Sequence, residues 1–440
     1  MLNCKGMAAN LAPISNLVGE AADLRGMREC LQWFTREKQW INDIHLQLCR
    51  VPAPTFLEQQ RAEWIVAQFR NLGWETHIDR AGNVVATPDA HSDGPYVALT
   101  AHLDTVLAPR TKEDIGVEAD GRFRGPGISD NGAGLAALLA IARALKVCPP
   151  VEGWHADLLL IANVGEEGEG NLSGMRHLCK QSPLGKKIGA FLVLDGASTD
   201  HITNRALGSR RFEVMFTGPG GHSWSDYGVG NPVHALSRAI SQFSDARLND
   251  LPKNSGSPKS GGSPKSGGAF KSSINVGFIE GGASVNAIPP LARAKVDIRS
   301  ESNEKMDELV DALTAAIERA LEVENQRATG GKVAVKMREI GARPAANLPE
   351  HSPILSYLRA VDSHLGIRSH LDCASTDANI PMSLGIPALS IGAGGQGGGA
   401  HTAQEWFRPE GRDLGLKRIL LTLCLLLRDP QFSASAHCGQ

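Results

Sequence analysis

The sequence predicts an α/β fold in which a mixed, largely parallel sheet is flanked by helices and interrupted by a smaller inserted α+β domain. Three observations carry this expectation. The apolar runs "YVALTA", "DLLLIAN" and "AFLVLD" read as buried strands and alternate with helical stretches, the grammar of a sheet with a substantial parallel part. After about Ala206 the pattern changes to period-two strands and amphipathic helices. Near Leu348 it returns to the first grammar.

Taken in order, helical periodicity runs from Met27 to about Leu72 and is broken at "CRVPAPTF", where two prolines force a loop. "WETHIDRAGNVVATP" is strand-like with a turn at Gly82-Asn83, and "PYVALTAHLDTV" is a strand. "GISDNGAGLAALLAIARAL" is a turn running into an Ala/Leu-rich helix, with Asp130 just before the helix start. The expected domain limits are 1–206 and 347–440 for the main domain and 207–346 for the insertion. The insertion should hold four strands ("RRFEVMFTG", "SSINVGFIEGG", "ARAKVDIRS", "KVAVKMREI") and two helices, the longer spanning roughly Glu304 to Gln326. Its "GSPKSGGSPKSGG" stretch, a repeated unit starting at Gly256, is too poor in apolar residues to offset ordering entropy, so a mobile surface loop is expected over 254–268. "ILLTLCLLL", from Ile419, is too short to cross a bilayer and reads as a buried C-terminal helix.

Composition narrows the function. The chain has 440 residues, 42% hydrophobic and 21% charged, which is ordinary for a globular protein with a large core. A formal net charge of −2 argues against nucleic acid or an anionic membrane as partner. The eight cysteines form no CxxC pair and no disulfide framework, and no charged-then-apolar leader opens the chain. A cytoplasmic protein with reduced thiols is the expectation.

The chemistry gathers at strand ends. In "HLDTV", His102 and Asp104 are two apart and share one face of a strand at its C-terminal end, where open α/β sheets keep their sites. Asp130 in "GISDNGAG", Glu166 and Glu167 in "NVGEEGEG", Asp195 in "LVLDGAS" and His401 in "GGGAHTAQEW" each follow an apolar run or lie in a glycine-rich loop. Strand ends of a parallel sheet converge on one edge. Carboxylates concentrated there are costly unless cations hold them. Two histidines with several carboxylates and no cysteine suit divalent zinc, cobalt or manganese in a reactive site and argue against a structural zinc. Glu169 stands as an alternative to Glu167, and Asp195 as a plain loop residue. His155, His177 and His364 read as surface or helix residues.

These stretches, with "GPGGHSW", "SVNAIP", "VDIRS" and "STDANIP", resemble in order the di-metal peptidases that include peptidase T, acetylornithine deacetylase, succinyl-diaminopimelate desuccinylase and bacterial glutamate carboxypeptidase. The resemblance covers nearly the whole chain and looks closest to the peptidase T-like branch. It implies two divalent metals per chain, most simply zinc. Asp130 would bridge them, joined to Asn131 by a cis peptide; His102 and Asp195 would complete one site, Glu167 and His401 the other. It further implies Asp104 as the residue holding the His102 ring in its ligating tautomer. Glu166 would be the general base towards a metal-bridging water. The inserted domain would serve as a lid and dimerisation unit in a homodimer. His222 would polarise the scissile carbonyl, often from the partner subunit, and Asn286 and Arg299 would hold a substrate carboxylate.

The activity implied is hydrolysis of short peptides from the amino end. An N-acyl-amino-acid deacylase or carboxypeptidase shares the fold and chemistry but reads a different substrate end. A catalytically silent scaffold is opposed by the intact set of ligands and base. A phosphate loop at "GAGGQGGG" is opposed by His401 standing where a Lys-Ser or Lys-Thr pair would be needed.

Overall fold

The computed structural model describes residues 4–88, 94–149, 154–248 and 270–433. The repeat at 254–268 lies outside the described residues. The chain forms two compact units, Met1–Ala206 with Asn347–Gln440, and Leu207–Ala346.

The first unit is built on a nine-stranded mixed sheet. At its middle, strand Tyr96–His102 lies parallel to Asp157–Asn163 on one side and to Ile188–Leu194 on the other. Every residue of Tyr96–His102 and Ile188–Leu194 is buried, which explains why these strands read as continuous apolar runs instead of alternating. The registers pair His102 with Asn163 and Ala101 with Leu194. Three strands therefore end together, and the loops that follow them share one edge. The hairpin Glu75–Ile78 and Val84–Thr87 adds antiparallel strands at one side. Helix Gly132–Val147 packs on the middle strand, as does helix Arg412–Arg428, whose Leu416–Leu427 stretch holds the buried leucines of the apolar C-terminal run. Among the described residues no helix is long and apolar enough to cross a membrane.

Four short strands were not evident in the sequence. Gln396–Gly398, Trp406–Arg408, Phe123–Arg124 and Gly116–Val117 form a small antiparallel sheet. Each has only two or three residues, too few for periodicity to register. The small sheet brings two loops together, 125–130 and 399–405. Their approach is close: a Cβ on Gly397 would lie 2.1 Å from Ser129 Oγ. Helix Cys4–Asp23 and the strands His201–Ala206, His370–Ala374 and Ala388–Ile391 are further elements that the residue pattern left unassigned.

The second unit is a four-stranded antiparallel sheet in the order Ser272–Gly281, Leu291–Ser300, Gly208–Thr217, Ala334–Arg343, with helices Pro232–Leu248 and Asn303–Arg327. Here alternation is strict. Ala292, Ala294, Val296 and Ile298 are buried against the helices, while Arg293, Lys295, Asp297 and Arg299 are half-buried on the other face. Ser302 caps the long helix by accepting from the Lys305 amide. Beyond Thr217 and Leu291 the ladder continues as a short pair, Gly221–His222 with Ala287–Ile288.

Candidate metal centre

The common edge of the three parallel strands carries a dense acidic and imidazole cluster. His102 closes its strand, Glu166 and Glu167 follow Asp157–Asn163, and Asp195 follows Ile188–Leu194. Asp130 precedes helix Gly132–Val147 and is joined to Asn131 by a cis peptide. Asn131 caps that helix through the Gly134 amide, and its Nδ2 donates to the Leu194 carbonyl at 2.8 Å. The helix start is thus fastened to the strand end that carries Asp195.

Asp130 is the centre of the cluster. One of its oxygens lies 3.1 Å from His102 Nε2, and the other lies 3.2 Å from His401 Nε2. His102 Nε2 is also 3.9 Å from Asp195 Oδ1, and His401 Nε2 is 2.9 Å from Glu167 Oε1. Donor atoms of His102, Asp130 and Glu167 all lie within 4.8 Å of one another. Glu167, not the exposed Glu169, is the acidic residue that reaches His401. His401 adopts φ of 65°, an uncommon backbone for a residue with a Cβ, and the small sheet holds it there.

Asp104 does more than the sequence implied. The nearest acceptor to His102 Nδ1 is the main-chain carbonyl of Asp104 at 2.9 Å, with the carboxylate at 3.6 Å. That carbonyl sets the ring so that Nε2 faces Asp130. The fully buried Asp104 carboxylate instead accepts from the amides of Glu166 and Glu167, at 3.0 and 2.9 Å, and from the Thr55 hydroxyl at 2.9 Å. It orients the acidic pair through their backbone.

The charges of the cluster shift each other's pKa values. Burial alone would lower the His102 pKa, but the Asp104 and Asp130 carboxylates outweigh it and hold the imidazole well above its usual range. Hydrogen bonds to Asp130 and Glu167 lift His401 to about 10. Burial, helped by the Asp130 charge, pushes Asp195 up to about 7. Asp130 itself is held well below the ordinary carboxylate range, because its two imidazole partners overcome burial. A set of two imidazoles and three carboxylates with donors this close fits borderline divalent metals.

The sequence reading missed Glu405. It is buried, and its carboxylate accepts from the amides of Gly127, Ser129 and Asp130 at 2.8, 2.7 and 2.8 Å. Burial followed by the Asp130 charge pushes it up to about 7 despite those donors. From the far side, His45 Nε2 donates to the Ile128 carbonyl at 2.7 Å while Nδ1 accepts from Arg412. The only sequence trace of Glu405 is its place four residues after His401, and nothing in "HTAQEW" says what it grips.

The other expected residues lie in the second unit. His222 and Asn286 are neighbours on the short ladder, where the Ser223 amide donates to the Asn286 carbonyl at 3.0 Å. His222 Nδ1 accepts from the Trp224 amide at 3.2 Å, which leaves the proton on Nε2. Arg299 does not join them. It lies eight residues beyond Leu291 on the long strand, about 26 Å away at ordinary strand rise, and its Nε donates to Asp297 at 2.7 Å. One chain does not bring Arg299 and Asn286 to the same carboxylate.

Residues 98–423 match peptidase family M20/M25/M40. The chain belongs to that family, and it is a hydrolase. Succinyl-diaminopimelate desuccinylase of Corynebacterium glutamicum is 27% identical over 351 residues, covering 79% of this chain and 86% of its own length. Among solved structures, a Staphylococcus aureus tripeptidase superposes with a TM-score of 0.67 at 18% identity, over 89% of this chain and 99% of that one. Aminopeptidase PepT of Bacillus cereus gives 0.65 at 20% identity, over 88% and 98%. At such identities the structures establish the fold.

Glu405→Ala leaves three amides of the Asp130 loop without their acceptor. Divalent-metal affinity should fall roughly 10- to 100-fold, as for residues that orient ligands from behind. Metal titration by calorimetry, with circular dichroism as the folding control, measures it. Affinity within twofold of the unaltered protein would mean that the His45 side alone positions Asp130.

Proposed function

We propose that this protein is a di-metal hydrolase that cleaves an amide bond in short peptides, acting from the amino end. The observation that carries the reading is Asp130, whose two oxygens face two different imidazoles, with Glu167 and Asp195 beside them and Glu166 held close by Asp104. His102, Asp130 and Asp195 would hold one cation, and Asp130, Glu167 and His401 the other, zinc being the simplest choice for this donor set. Such ions supply Lewis acidity and bring the pKa of water towards neutrality.

The chain's own residues do the rest. Glu166 takes the proton of the attacking water and delivers it to the leaving amine. His222, with its proton on Nε2, donates to the carbonyl oxygen as negative charge develops there. Asn286 and Arg299 steer the carboxylate end of the substrate. Because the length of the Leu291–Ser300 strand separates them, a single substrate meets both only if one comes from a second copy of the chain. That separation supports a homodimer joined through the inserted unit, with His222 and Asn286 of one subunit serving the other. The second reading, a deacylase or carboxypeptidase, is favoured by the similarity to a desuccinylase.

Glu166→Gln should retain two divalent metals per chain, by elemental analysis, and lose hydrolysis by about 10²- to 10⁴-fold. Activity within a few-fold of the unaltered enzyme would remove Glu166 as the base. Mixing inactive His222→Ala with inactive Glu166→Gln should restore part of the activity in verified heterodimers, because one mixed site then carries both natural residues. Heterodimers with no recovered activity would assign His222 to its own subunit.

The substrate end is tested with a tripeptide and its N-acetyl form, compared by kcat/KM with the same metal. Acetylation should cost several kcal/mol if an acidic group reads the ammonium, since that group is left buried and unpaired. Preference for the acetylated form would replace the aminopeptidase with the deacylase and leave the metal chemistry intact.

A further inference from the structure

Outside the ligand cluster, the first unit carries an apolar feature that the chemistry above does not use. Phe56 and Leu57 are 66% and 69% exposed, and Val106 and Leu107 are 43% and 42% exposed. They come from two segments tied to each other and to the metal side of the sheet edge. Pro54 bridges Thr105 in parallel, the Thr105 amide donates to the Ala53 carbonyl at 3.0 Å, and Thr55 reaches the Asp104 carboxylate. Buried Arg61 spans the same two segments, donating to the carbonyls of Val51 and Leu103 at 2.9 and 2.7 Å. At the far end of the loop, Glu58 accepts from the Gly165 amide at 3.1 Å, next to Glu166.

This loop is therefore fixed at both ends to the residues that flank Asp104 and the acidic pair, while its apex is apolar and turned to water. Phe56 has φ of 74°, a conformation that a bulky residue adopts only when its surroundings impose it, and such outliers gather at ligand sites. Leaving four large apolar side chains in water beside a polar, rigid cluster costs solvation free energy. A bound apolar group recovers it.

We propose that Phe56, Leu57, Val106 and Leu107 form the subsite for an aliphatic side chain on the acyl half of the substrate, the half whose carbonyl is attacked. The assignment to the acyl half rests on the function proposed above, in which residues of the inserted unit take the carboxylate end. The occupant is a leucine-sized side chain or a short acyl chain. Valine, leucine and phenylalanine offer it only dispersion and desolvation, and a charged group gains nothing there.

The test varies only the acyl half. Leu-Gly is compared with Ala-Gly, and N-hexanoyl-glycine with N-acetyl-glycine, so that either end preference yields turnover. The zinc-loaded full chain should favour the larger member of the cleaved pair by roughly tenfold or more in kcat/KM. Phe56→Ser combined with Leu107→Ser should bring that ratio close to one, with the loss carried by KM and not kcat, as for uniform binding. A purely structural role would lower kcat for both members and shift the thermal midpoint. A natural enzyme that prefers the smaller members, or a variant that keeps the tenfold preference, overturns the subsite.

If neither pair is cleaved, the proposed substrate class fails, and calorimetry then decides the subsite alone. Leucine hydroxamate should bind the zinc-loaded protein more tightly than glycine hydroxamate, by a factor that falls in the double variant. An unchanged factor overturns it.

Discussion

The two oxygens of Asp130 face two imidazoles, and much of the first unit exists to keep that one carboxylate in place. Its backbone loop is gripped on one side by Glu405, which accepts from the amides of Gly127, Ser129 and Asp130, and on the other by His45, which donates to the Ile128 carbonyl. Asn131 then ties the adjoining helix start to the strand that ends at Asp195. Three strands in parallel register supply the remaining side chains at matched height. The precision of the cluster comes from backbone hydrogen bonds to residues that never enter it, the arrangement that fixes metal ligands from behind.

Charge is the second constraint. Donor atoms of Asp130 and Glu167 lie within 4.8 Å of each other, and Asp195 lies 3.9 Å from His102 on the same edge, so like charges crowd in a partly buried setting. The carboxylates raise both imidazoles above their usual range, and burial with the Asp130 charge pushes Asp195 up to about 7. Divalent cations held there would offset the same negative charge. Asp104 acts from behind the cluster: its carboxylate accepts from the amides of the acidic pair and from Thr55, and its charge helps to hold His102 above its usual range.

The second unit sets its functional candidates at opposite ends of the Leu291–Ser300 strand. His222 and Asn286 occupy the short ladder beyond Thr217 and Leu291, whereas Arg299 sits near the opposite end, paired with Asp297. A rigid sheet of ten-residue strands cannot bend one end onto the other, so these residues cannot share a ligand within a chain.

The central strands and the polar residues that end them were legible in the sequence because burial writes itself as pattern. "YVALTA" and "FLVL" are apolar throughout since both faces are covered, and the first polar residue after each marks where the strand leaves the core. The alternation of "ARAKVDIRS" separates the two faces of the second sheet in the same way. The family motifs added which of those polar residues belong together. Glu405, His45 and Arg61 were not legible, because a buried polar residue has the same letter as an exposed one and only its partners make it informative. The short strands that join loop 125–130 to loop 399–405 have no periodicity to read. The distance between Arg299 and Asn286 is likewise a property of the ladder register, and residues thirteen apart in sequence are set far apart in space only by the strand between them. The sequence by itself determined which side chains are available at the sheet edge, through the local rule that apolar runs end where burial ends. The tertiary structure alone decided which backbone donors and acceptors meet them, because those contacts span up to 278 residues and leave no local trace.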